Sequence, residues 1–107
     1  MQMLSAAILF VAATLLAASA ARAQDIEAGK RVAQSACSSC HLVDPAGQNS
    51  GSDAVPTFAA IARMPSTTEI SLVAFLSAPH APMPELILNR AEIQDVSVYI
   101  LSLRNLR

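Results

Sequence analysis

Cys37-Ser38-Ser39-Cys40-His41 is the stretch on which the reading of this chain turns. Two thiols stand three positions apart, and an imidazole follows at once. On a helix end, positions i and i+3 share a face with Cβ atoms about 5–6 Å apart. Both thiols can therefore reach one flat partner, and Ser38 and Ser39 are too small to obstruct it. These are the only two cysteines in 107 residues, which excludes a disulfide-dense scaffold. A bridge between them would leave His41 without a role. A thioredoxin-type pair needs a βαβ setting, and no alternating strand pattern occurs in the chain. A zinc site needs four ligands. Only His80 could complete that set, and Met83 would then go unexplained.

Composition narrows the options further. Hydrophobic residues make up 53% of the chain and charged residues 14%, which excludes a disordered chain. The formal charge of −1, with Lys30 the single lysine, gives no basic face for nucleic acid. Three scattered glycines (Gly29, Gly47 and Gly51) do not make a phosphate-cradling loop.

Residues 3–21 read MLSAAILFVAATLLAASAA, an apolar run without charge. It leads into Ala21-Arg22-Ala23, a small-x-small site of the kind signal peptidase cuts. The expected division is a signal peptide at 1–23 and one domain at 24–107. Met1-Gln2 lacks the usual basic residue, and an uncleaved run of this length could serve as a membrane anchor. Its Ala, Ser and Thr content weakens that alternative. A periplasmic location follows from export, with membrane contact only if residues 1–23 are retained. A domain this small makes a thin core and needs a staple or a cofactor.

The expected class is all-α, with three main helices and long proline-containing loops. Residues 26–38 follow Asp25 as N-cap. Residues 67–78 follow Ser66-x-x-Glu69, read as a capping box, with Leu72, Phe75 and Leu76 on one face. Residues 90–103 follow Asn89-x-x-Glu92, with Ile93, Val96, Ile100 and Leu103 at helical spacing. Residues 57–62 add a short turn. Pro79, Pro82 and Pro84 keep the segment before the last helix from being helical throughout.

C-x-x-C-H is also the attachment sequence of a c-type haem. Cys37 and Cys40 would each add to one vinyl group of a single haem, and His41 would turn toward the iron. A second axial ligand could come from Met64, His80 or Met83. Met83 is favoured because Pro79-His80-Ala81-Pro82-Met83-Pro84 is stiff and lies far enough from His41 for the chain to wrap the haem. His80 would instead give a bis-His iron of lower potential.

From Asp25 to Leu103 the chain resembles the class I monohaem c-type cytochromes. The resemblance is carried by Gly29 eight residues before Cys37, the CSSCH segment, Pro56, Met83 in a proline-rich loop, and Asp95-Val96-x-x-Tyr99. It implies the cytochrome c fold wrapped around one covalent haem c. It also implies His41 and Met83 as axial ligands, with the Pro56 carbonyl accepting from the His41 ring. Val55 precedes Pro56 where the family usually has Gly, and Ala33 stands where an aromatic is common. Gly29 would let Tyr99 approach where the first and last helices cross. Phe58, Ile61, Phe75, Leu76, Leu86 and Ile100 are candidate haem walls. Gln48, Asn49, Ser50 and Arg63 are candidate propionate donors, with nothing to choose among them.

The function so implied is electron transfer, with no catalytic residue. Partners would be redox proteins (a dehydrogenase, an oxidase or a cytochrome complex) met transiently by a monomer, and no nucleic acid. A haem enzyme or gas sensor with a labile sixth ligand is the alternative. No cluster of a second His, an Arg and an acid supports it.

Overall fold

The computed structural model describes residues 24–47, 54–78, 83 and 87–106. The expected signal peptide, Gln48, Asn49, Ser50, His80 and Leu86 lie outside the described residues. Within them the order is α1 (Ile26–Ala36), α2 (Phe58–Arg63), α3 (Glu69–Ser77) and α4 (Arg90–Ser102), then a 3₁₀ turn at Leu103–Asn105. No strand occurs among the described residues.

Each helix begins where a side chain can take up an unpaired N–H. Asp25 accepts from Ala28 N–H at 3.0 Å and so caps α1. Asn89 and Glu92 form the expected reciprocal box at the start of α4. The box at α3 is not the expected one. Thr68 is the N-cap and Ser71 its partner, two residues beyond Ser66 and Glu69. Thr67 is taken up by a turn, its N–H bonded to the Met64 carbonyl at 3.0 Å, so the helix starts after it.

α1 also stops short of the expected residue 38. The Ser38 hydroxyl takes the Gln34 carbonyl at 2.6 Å, competing with helical propagation. Cys37 is the C-cap, and Cys37 to Cys40 form a turn.

α1 packs chiefly on α4, and the crossing is a backbone contact. A β-carbon on Gly29 would overlap the Asp95 carbonyl oxygen and lie 2.9 Å from Tyr99 Cβ. Glycine is therefore required here for space, and its helix-propensity cost of about 1 kcal/mol is accepted. Asp95 extends the contact by accepting from the Asp25 N–H at 3.0 Å. The core collects around this crossing: Ala33, Cys37, Val43, Phe58, Ala62, Leu72, Val96, Tyr99, Ile100 and Leu103 are buried together. α3 contributes less. Leu72 is buried as expected and Leu76 is half-buried, but Phe75 is 53% exposed.

Candidate functional site

The CSSCH segment leaves α1 as a hydrogen-bonded turn. The Cys37 carbonyl accepts from Cys40 N–H at 3.2 Å and His41 N–H at 2.9 Å. The second cysteine and the histidine are thus folded back over the first. Both thiols are unpaired, Cys37 buried and Cys40 exposed. Burial pushes the Cys37 thiol up to about 11. A group so placed stays protonated at neutral pH, which disfavours thiolate chemistry. A neutral thioether carries no charge into that burial.

His41 is buried and its ring is held on two sides. The Pro56 carbonyl lies 2.6 Å from Nδ1. A carbonyl can only accept, so Nδ1 carries the proton and Nε2 is the nitrogen with a lone pair. The Phe58 ring packs beside it, with centroids 5.5 Å apart and planes inclined by 51°. Phe58 in turn faces Tyr99 at 6.4 Å. The loop carrying Pro56 is tied back to the histidine segment by Phe58 N–H donating to the Leu42 carbonyl at 3.0 Å.

The segment after His41 is fixed from α1 and α4. Tyr99 donates its hydroxyl to the Val43 carbonyl at 2.7 Å. Lys30 pairs with Asp44 at 2.9 Å. That pairing raises the lysine pKa and lowers that of the aspartate. Burial raises the Tyr99 phenol.

The structure thus brings together Cys37, Cys40, His41 and Pro56, and places Phe58 against the imidazole. Phe58 and Ile100 are buried, and Ile61 is half-buried. Arg63 donates to the Leu106 carbonyl at 2.7 Å, a backbone partner the sequence does not announce. Met83 is half-buried, between segments 79–82 and 84–86 that lie outside the described residues. Met64 is 46% exposed, behind the end of α2. The Tyr99–Val43 bond and the Arg104 contacts taken up below escape sequence reasoning. Each joins a side chain to a distant carbonyl, and a carbonyl leaves no residue-type signal.

Two unpaired thiols on one turn, beside an imidazole whose Nδ1 is already engaged, fit covalent haem attachment. In an all-α fold this defines a c-type haem protein. The chain belongs to the cytochrome c family: the model of that family, described as "Cytochrome c", matches residues 26–104. It is 41% identical over 97 residues to cytochrome c-552 of Bradyrhizobium diazoefficiens, covering 91% of this chain and 92% of that protein. No solved structure matches. The protein is accordingly a haem c electron carrier and not an enzyme. Cys37 and Cys40 suit the two thioether linkages. No helix among the described residues is long and apolar enough to cross a membrane.

Proposed function

We propose that this protein is a periplasmic electron carrier with His41 and Met83 as the axial ligands of its haem iron. The observation that carries the histidine assignment is the bond between its Nδ1 and the Pro56 carbonyl. A metal-ligating histidine nearly always donates its second ring N–H to such an acceptor, which fixes the tautomer and raises ligand basicity. His41 would therefore ligate through Nε2.

The haem, when bound, supplies a one-electron ferrous–ferric couple. The chain's own residues set the conditions for it. Cys37 and Cys40 hold the group covalently, so it stays in place in either oxidation state. Phe58, buried and packed on the ring, keeps water from that side of the imidazole. The Met83 thioether is neutral and soft, favours the ferrous state, and gives a higher potential than a second histidine. His80 and an open sixth position are the competing arrangements.

Partners are other redox proteins, a dehydrogenase, an oxidase or a cytochrome complex, met by a monomer through small, short-lived contacts. Lys30 is the single lysine and is paired with Asp44. Electrostatic steering toward an acidic partner is therefore weak, and association rates should vary little with ionic strength. Residues 1–23 act as the export signal, and the mature chain starts at Gln24.

The test is an absorption spectrum of protein matured with covalent haem, oxidised and reduced, followed by the pyridine haemochrome. Haem that stays with the chain in acid acetone and a ferric thioether–iron band support His41/Met83 ligation. A missing band with rapid CO binding to the reduced protein favours the labile-ligand reading. A missing band without CO binding favours His80. N-terminal sequencing that returns Met1 would overturn removal of residues 1–23.

A further inference from the structure

We propose that Arg104 is a positioning residue for His41, acting through α2. The observation is a clasp between the end of that helix and the end of the chain. Arg104 donates Nε to the Ala62 carbonyl at 2.8 Å and Nη2 to the Thr67 carbonyl at 2.5 Å. Arg63 reaches the other way and donates to the Leu106 carbonyl at 2.7 Å. Two guanidiniums thus cross-link α2 to the 3₁₀ turn that follows α4.

α2 needs such help. It has six residues, too few for a helix to hold itself. The Met64 cap N–H reaches the Ile61 carbonyl at 3.2 Å, and the next carbonyl, that of Ala62, takes its donor from Arg104. Met64 leaves it in an extended conformation, and Pro65 brings no N–H. Arg104 supplies donors from another part of the chain.

The opposite end of α2 meets the histidine. Thr57 caps the helix by accepting from Ala60 N–H at 3.1 Å, and Pro56 directly precedes it. The Pro56 carbonyl is the acceptor for His41, and Phe58, the first residue of α2, packs on the ring. α2 is therefore a short rod with the imidazole at one end and the guanidiniums at the other. Movement of the rod lengthens a bond of 2.6 Å, the bond that sets the basicity of the ring. Arginine suits the task because its planar fork serves two carbonyls at once, whereas an ammonium is a single point charge.

The redox readout below rests on His41 as iron ligand, while the proton readout does not. The experiment uses the reduced holoprotein and the variant Arg104→Lys, which keeps the charge and loses the fork. Exchange of the His41 Nδ1 proton, followed by NMR, should accelerate about tenfold. The redox equilibrium should shift severalfold toward ferrous, because a weaker acceptor leaves a poorer imidazole donor. Ile93→Val, a core change in α4, should move stability without moving either readout. Arg63→Ala serves if Arg104→Lys does not fold, with exchange accelerated severalfold. Unchanged exchange and potential in Arg104→Lys, or equal changes in Ile93→Val, would overturn the proposal and leave a structural clamp. A wild-type spectrum without a haem-shifted His41 ring proton would overturn the ligation, and the exchange comparison would still decide on Arg104.

Discussion

α4 and α3 are both apolar helices, yet they are used in opposite ways. α4 buries Ile93, Val96, Ser97, Tyr99 and Ile100 and meets α1 backbone to backbone at Gly29. α3 buries Leu72 alone and leaves Ile70 84% and Phe75 53% exposed. The difference shows where the fold is determined. The α1–α4 crossing fixes the His41 segment through Tyr99 and Val43. α3 sits at the margin, just before the stretch of sequence that carries Met83. Tolerance to substitution should therefore differ between the two helices and between the two proposed ligands.

The comparison is broken most severely at Gly29. Gly29→Leu places side-chain atoms where the Asp95 carbonyl stands, and no rotamer relieves a backbone overlap. We expect a loss above about 4 kcal/mol, seen as failure to fold or to retain haem. A melting temperature near that of the wild type would remove the crossing from the argument. Met83→Ala comes next. It should abolish the ferric thioether–iron band and lower the potential while covalent haem persists, since Cys37 and Cys40 are untouched. A surviving band would move the sixth ligand elsewhere.

Tyr99→Phe is a finer probe of the crossing. It removes the hydrogen bond to Val43 and should cost about 1 kcal/mol at neutral pH by chemical denaturation. Burial raises the Tyr99 phenol above its ordinary value of 10.0. The folded state therefore keeps this proton longer than the unfolded chain. The phenol's contribution is fully present below about pH 10 and declines as pH rises through the folded value. The gap between wild type and Tyr99→Phe should narrow in that alkaline range, and a constant gap would show that the phenol does not titrate differently on folding. The smallest effect is expected at Ile70→Ser on α3, within about 0.5 kcal/mol, because that side chain is mostly exposed. A loss of about 2 kcal/mol or more by denaturation would mean that α3 is a core helix after all.

Some of this was legible from residue types and some was not. Asp25 and the Asn89–Glu92 box mark helix starts because a side-chain oxygen beside a run of helix formers has few other uses. The α3 start is ambiguous by the same logic, and Thr68 with Ser71 rather than Ser66 with Glu69 forms the box. Ser66, Thr67 and Thr68 all carry hydroxyls, and the turn that Thr67 makes with Met64 decides between them. Gly29 could be matched to Tyr99 through the family resemblance, but the tyrosine hydroxyl's target could not. The His41–Pro56 contact came from family resemblance, and the structure places the two atoms 2.6 Å apart. Arg104 gave no sign at all: an arginine near a chain terminus is ordinarily solvated surface, and its backbone partners become visible only in three dimensions.

The contact between Gly29 and Asp95 has a bearing on the order in which the molecule folds. α1 and α4 are far apart in sequence, with Asp25 and its acceptor Asp95 separated by 70 residues. Such distant pairings form late because a long loop must first be closed. Until then Val43 lacks its tyrosine and the CSSCH turn stands on an unfinished scaffold. Closure of α4 onto α1 is therefore the step that completes the scaffold beneath Cys37, Cys40 and His41.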